Sequence, residues 1–258
     1  MAYAIAGGVL KAGLYQKNEI FISDPKEETH QKFLKMGIET STGNHFALQG
    51  DIILLAVKPF IICNMLSELV ENEGKAKLEN KVFASIAAGV TVQEIKNALG
   101  FDAKVIRIMP NTPAMVLEGM SVLAQECAPA DEKEFAAVKN IFEAIGKTEV
   151  LPENMLNAVT SVSGSSPAYV YMLIEAMADA AVRDGIARDM AYRLAAQSVL
   201  GSAKMVLDTG KHPGELKDMV CSPRGTTIEA VAELEEKGFR SAIISAMKKC
   251  TDKANATK

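Results

Sequence analysis

Up to about residue 110, short apolar runs alternate with stretches in which apolar side chains recur every three or four positions. Residues 19–23 (EIFIS), 51–57 (DIILLAV), 81–86 (KVFASI) and 104–109 (KVIRIM) predict strands. Residues 25–36, 59–71 and 91–99 carry helical spacing, and the last stretch opens on a Thr91-x-x-Glu94 capping box. The 51–57 run is apolar without alternation, as suits a strand buried on both faces, although a short buried helix has the same pattern. Strands and helices in alternation imply a parallel sheet covered on both sides, a doubly wound α/β unit.

From about residue 151 the strand pattern stops. Residues 167–183, 188–207 and 227–237 are rich in Ala, Met and Leu and read as long helices. In 169–183 (YVYMLIEAMADAAVR) apolar side chains run around most of the helix, so it must be enclosed. A small helical domain cannot enclose several such helices alone, which implies that a second copy of the chain supplies the missing cover. The expected organisation is an α/β domain over residues 1–151 and a helical, homodimer-forming domain over 152–258.

Composition narrows the possible functions. Apolar residues at 48% and charged residues at 23% describe a folded globular chain, and a net charge of −4 offers no basic field for a nucleic-acid backbone. Cys63, Cys127, Cys221 and Cys250 form no CxxC pair and have no His at ligand spacing. That argues against a metal or a disulfide framework and suits a reducing cytoplasm. No run is long and apolar enough for a membrane span, and no signal peptide is evident.

In an open α/β sheet, ligands bind beyond the carboxyl ends of the strands. Three such ends are marked: Ala56-Val57-Lys58-Pro59, Ala87-Ala88-Gly89 and Met109-Pro110-Asn111-Thr112-Pro113. Each alone reads as turn punctuation, but three along one edge, with Lys58 and Asn111 supplying a cation and an amide, suit a polar anionic cofactor. Asp24 ends the 19–23 strand, where a carboxylate accepts from a ribose 2′-OH; equally, Asp24-Pro25 is a standard helix start. In the helical half, Thr226-x-x-Glu229 reads as a capping box, which leaves Thr227 without a role. Free amides of Gly225, Thr226 and Thr227 at that helix start would hold a carboxylate.

The motifs DIILLAVKP (51–59), SIAAGV (85–90), RIMPNTP (107–113), AVTSVSGSSPAYV (158–170), EAMADAAVRDG (175–185) and HPGELKDMVCSPRGTTIEAV (212–231) resemble those of the pyrroline-5-carboxylate reductase family across nearly the whole chain. The resemblance implies a Rossmann-like N-terminal domain and a helical domain that interlocks into a homodimer, with dimers often assembled into rings. It also implies NADPH- or NADH-dependent reduction of 1-pyrroline-5-carboxylate to L-proline. On this resemblance Thr227 hydrogen-bonds the imine nitrogen, while Ser222 and the amides of Gly225 and Thr226 hold the carboxylate. The cofactor is expected along Asp24, Asn44, Ala56, Val57, Lys58, Pro59, Ala87, Gly89 and Asn111, with Lys26 a candidate partner for a 2′-phosphate. No His is assigned as acid.

The chain departs from the family pattern in three places. Ser166 and Arg224 stand where the family has Gly, and either would strain its loop if the position needs positive φ. Residues 1–10 resemble the helix that follows the family's GxGxxG turn, and no GxGxxG occurs in the sequence. The expectation is weak cofactor binding and a loosened N-terminal domain, restored by adding a strand and a Gly-rich turn upstream. Two other readings are a β-hydroxyacid dehydrogenase, which needs a catalytic Lys absent from 168–183, and a non-catalytic dimeric scaffold.

Overall fold

A computed structural model describes residues 1–124 and 131–256. It divides into two compact units, Met1–Ser165 with the chain from Cys250 onward, and Ser166–Lys249. The first unit opens with α1 (Ala2–Lys11), β1 (Phe21–Ser23), α2 (Glu27–Leu34), β2 (Glu39–Ser41), β3 (Ile52–Leu55) and α3 (Pro59–Glu73). It continues with β4 (Val82–Ser85), α4 (Val92–Leu99), β5 (Lys104–Met109), β6 (Gly119–Ala124), α5 (Glu132–Glu143), β7 (Gly146–Leu151) and the short α6 (Leu156–Val159).

Strands β3 to β7 form one sheet in that order, with β3, β4 and β5 parallel and in register. Successive residues of these strands sort into different cores. Phe83 and Val105 pack with Ile62, Leu66, Ile95 and Leu99 on one face, whereas Ala84, Ile106 and Ile108 pack with Val138, Phe142 and Leu156 on the other. Alternate side chains of a strand point to opposite faces, so β4 and β5, covered on both, are mostly apolar, whereas in β3 only Ile53 and Leu55 are buried and Ile52 and Leu54 are half-buried, so the 51–57 run is not buried on both faces. Each fully buried Leu, Ile or Phe contributes about 1.5–3 kcal/mol. Helix α1 adds Ile5 and Val9 to the second core. It approaches closely at Gly8, where a Cβ would stand 2.3 Å from Ile145 Cγ2.

The four predicted strands and the Thr91 capping box are present. Three further strands, β2, β6 and β7, were not legible as such, and β6 runs antiparallel to β5, so the sheet is not parallel throughout. Strand β1 pairs with β2 in a separate two-stranded parallel sheet. A cleft of about 530 Å³ is lined by both β1 and β3.

The second unit contains α7 (Ser166–Arg183), α8 (Arg188–Thr209), α9 (Pro213–Val220) and α10 (Thr226–Glu236). It also holds most of α11 (Phe239–Ala256), whose last turns belong to the first unit. Taken alone it has almost no interior, for its only buried hydrophobic residues among those described are Ala178, Ala191 and Ala195. Met172 is 69% exposed, Leu207 82% and Ile244 69%.

Candidate active site

The carboxyl ends of β3, β4 and β5 lie on one edge because the strands are parallel and in register. Asp24, Asn44, Ala56 and Val57, four of the residues expected at the cofactor, line the cleft between β1 and β3. Asn44 accepts a hydrogen bond at Oδ1 from the Ser23 hydroxyl, 3.0 Å away. Lys58 is the N-cap residue of α3 and Pro59 its first helical residue, the position where a missing N–H costs nothing. Ala87 is buried, and Gly89 adopts φ +81°, a conformation that favours glycine.

Asp24 does not cap a helix. Lys26 is the N-cap of α2, which begins at Glu27, and Asp24 Oδ1 instead accepts from the Lys26 amide at 2.8 Å in a tight turn. Buried His30 donates from Nε2 to the Asp24 carbonyl at 2.6 Å and so holds this strand end from below.

At the end of β5, Asn111 is nearly buried and uses both ends of its amide within the protein. Nδ2 donates to the Ser163 carbonyl at 3.0 Å, and Oδ1 accepts from the Met120 amide at 2.9 Å. Four residues earlier, buried Arg107 reaches Glu153 Oε1 at 3.3 Å, and the same oxygen accepts from the Val92 amide at 2.9 Å. Local pattern did not reveal this junction, whose ionic partners are 46 residues apart. The Thr91 amide, then the Thr91 hydroxyl and the Arg107 charge hold the Glu94 carboxyl below its ordinary range. Burial, with a smaller contribution from Glu94, pushes the Cys63 thiol up. Cys63, Cys221 and Cys250 are free thiols; Cys127 lies outside the described residues.

In the helical unit, residues 222–225 form a turn closed by the Gly225 amide donating to the Ser222 carbonyl at 3.0 Å. Gly225, not Thr226, is the N-cap of α10, and no side chain caps the helix. The expected Thr226 capping box therefore fails, because the turn delivers the chain into the helix one residue earlier. With the Gly225 N–H engaged, the amides left at the helix start are those of Thr226, Thr227 and Ile228. A Cβ on Gly225 would lie 2.4 Å from Ser222 Oγ, so glycine keeps that hydroxyl in place. His212 is the N-cap of α9 and accepts at Nδ1 from the Gly214 amide at 3.0 Å.

The two departures from family glycines separate here. Ser166 opens α7 without positive φ, whereas Arg224 adopts φ +59° after Pro223, at the turn position that favours glycine. Arg224→Gly is expected to stabilise the protein by about 0.5 kcal/mol, since relief of about 1 kcal/mol of left-handed strain exceeds the added freedom of the unfolded chain. Thermal melts at fixed protein concentration test this, and an unchanged or lower midpoint would show that the turn carries no strain.

Among the described residues, no cluster of His, Cys, Asp or Glu is arranged to hold a metal ion, and no helix is long and apolar enough to cross a membrane. A doubly wound unit with a marked strand edge, followed by a helical unit that lacks an interior of its own, defines the class: a two-unit α/β protein whose helical region is built for association. The family model for pyrroline-5-carboxylate reductase dimerisation matches residues 153–257, and that for coenzyme F420-dependent NADP oxidoreductases matches residues 1–89. The pyrroline-5-carboxylate reductase of Escherichia coli K12 is 50% identical over 259 residues, covering 98% of this chain and 93% of that protein. The solved Coxiella burnetii pyrroline-5-carboxylate reductase superposes with a TM-score of 0.89 at 32% identity, covering 100% of this chain and 94% of that one. The Plasmodium falciparum enzyme, solved with NADP bound, has a TM-score of 0.87 at 29% identity, covering 98% and 93%. The chain belongs to the pyrroline-5-carboxylate reductase family.

Proposed function

We propose that this protein reduces 1-pyrroline-5-carboxylate to L-proline with a reduced nicotinamide dinucleotide. The observation that carries this reading is the 50% identity to the Escherichia coli reductase across 98% of the chain. The residues present fit the cofactor: the cleft that runs between β1 and β3 has a largely apolar lining with Asp24 and Asn44 among its polar groups, and Ala56 and Val57 follow the carboxyl end of β3 beside it. When bound, the cofactor supplies the hydride that reduces the C=N carbon. On this reading the Thr226 amide at the start of α10 and the Ser222 hydroxyl hold the substrate carboxylate, with Gly225 shaping the turn between them. The hydroxyl oxygen of half-buried Thr227 accepts from the N–H of the protonated iminium and keeps it in place. The proton that neutralises the product nitrogen is the one the iminium already carries.

The reading also includes a ring of dimers and a cytoplasmic location; the free described thiols are those a reducing compartment maintains. Its test is an assay of the purified protein with 1-pyrroline-5-carboxylate and NADPH or NADH, following cofactor oxidation and proline by amino-acid analysis. Absence of proline with both cofactors would overturn it.

Cofactor preference rests on Asp24. If its carboxylate faces the adenosine ribose, Asp24→Ser is expected to raise kcat/KM for NADPH relative to NADH about fivefold, the worth of roughly 1 kcal/mol of repulsion removed. Ser preserves the turn to the Lys26 amide, so stability is expected to change little. An unchanged ratio would leave Asp24 with the turn as its whole role.

A further inference from the structure

Asn111 and Arg107 grip opposite ends of one segment, residues 153–163. Arg107 holds Glu153 at its start, and Asn111 holds the Ser163 carbonyl at its end. Between these points the chain forms a 3-10 turn, α6 and then a π-helical turn over Thr160–Gly164, closed by the Ser165 amide donating to the Thr160 carbonyl at 2.7 Å. A π-turn is rare and weak unless something outside the helix fixes it. The need is greatest at Ser163: its α-helical partner would be residue 167, which is Pro167 and has no N–H. Asn111 Nδ2 supplies that donor. Met109, the last residue of β5, lies beside the same turn, with its Sδ 3.9 Å from where a Gly164 Cβ would be. The π-turn thus sits on the strand end from which the MPN turn departs.

We infer that Asn111 is a positioning residue and not a cofactor ligand. With Arg107 as the second anchor, it fixes the π-helical turn against the carboxyl end of β5 and so holds the strand end beside which the cofactor is proposed to bind. Both ends of its amide are committed, to Ser163 and to Met120, and its side chain is nearly buried. With one bond at each end the amide is locked in place, and turning it toward a ligand would leave the Ser163 carbonyl or the Met120 amide without its partner. Small displacements at a reacting pair cost turnover more than they cost binding. The inference rests on the proposed reductase activity for its kinetic consequences, but the structural clamp can be read without them.

The variants are Asn111→Asp, which keeps the acceptor for Met120 and removes the donor to Ser163, and Arg107→Met, which releases the other end. For Asn111→Asp we expect the NADPH dissociation constant, by calorimetric titration, to stay within about twofold of wild type while kcat falls about tenfold. The primary isotope effect on kcat with NADPH deuterated at the transferred position is expected to rise, because hydride transfer becomes slower than product release. Loss of folded protein alone would lower activity without moving the isotope effect. Hydrogen exchange should show faster exchange across residues 156–165 in both variants with β5 unchanged, a readout independent of activity. A tenfold weaker NADPH affinity with an unchanged isotope effect would make Asn111 a cofactor ligand and overturn the inference, as would unchanged exchange in 156–165. Absence of proline formation by the wild-type protein would instead sink the reductase reading, and the exchange data would still judge the clamp.

Discussion

Dilution is expected to unfold the helical unit rather than release folded monomers. Within one chain the unit buries Ala178, Ala191 and Ala195 and leaves Met172, Leu207, Val220 and Ile244 largely in water. Side chains as small as alanine cannot offset the entropy of ordering four to five helices, so the missing interior must come from a partner. The match of residues 153–257 to the dimerisation model assigns that partner as a second copy. Folding of this unit and assembly are then one event, and each tenfold dilution removes about 1.4 kcal/mol from it. At about 2–4 °C per kcal/mol, a tenfold dilution lowers the melting midpoint by about 3–6 °C. Met172→Asp, which puts a carboxylate on the most apolar helix, should abolish assembly at micromolar concentration together with most helical circular dichroism. A folded, helical monomer in sedimentation velocity would show that the unit is sufficient by itself.

The second large effect is expected at Thr227. Thr227→Ala should lower kcat about tenfold to a hundredfold, equivalent to about 1.4–2.7 kcal/mol of transition-state stabilisation from one positioned hydrogen bond. Because Gly225 and not Thr226 caps α10, Thr227 is the second residue of the helix and no capping duty competes for its hydroxyl. Alanine is a good helix former, so dimer assembly and melting should be nearly unchanged. Thr227→Ser, which keeps the hydroxyl, should retain most of the turnover. Wild-type turnover in the alanine variant would remove this side chain from the mechanism.

The edge proposed for the cofactor was legible for a simple reason. Strands β4 and β5 are buried on both faces and β3 on one, and each is followed by Pro or Gly, so composition marked both the strands and the side on which they stop. The strands β2, β6 and β7 were harder. β2 is three residues long, and β7 (GKTEVL) has no buried residue and is weakly patterned. β6 (GMSVLA) is well buried, yet only a short 3-10 helix over Thr112–Val116 separates it from β5, with no α-helix to continue the alternation that identified the others. Two readings of local chemistry also went to the wrong residue. Asp24 and Thr226 both stand in cap-like sequences, and in both places a turn moves the helix start, by its side-chain bond to Lys26 in one and by the Ser222 to Gly225 bond in the other.

The sequence by itself determined the two kinds of unit, the strand edge, the Thr91–Glu94 cap and the need for a second copy. These depend on side-chain period, on Pro and Gly, and on contacts three or four residues apart, all of which a short window contains. Only the tertiary structure decided what Asn111 and Arg107 do, because their partners Ser163 and Glu153 lie 52 and 46 residues away. A buried amide or guanidinium must find a partner, but which one depends on the chain segment that the packed sheet brings beside it.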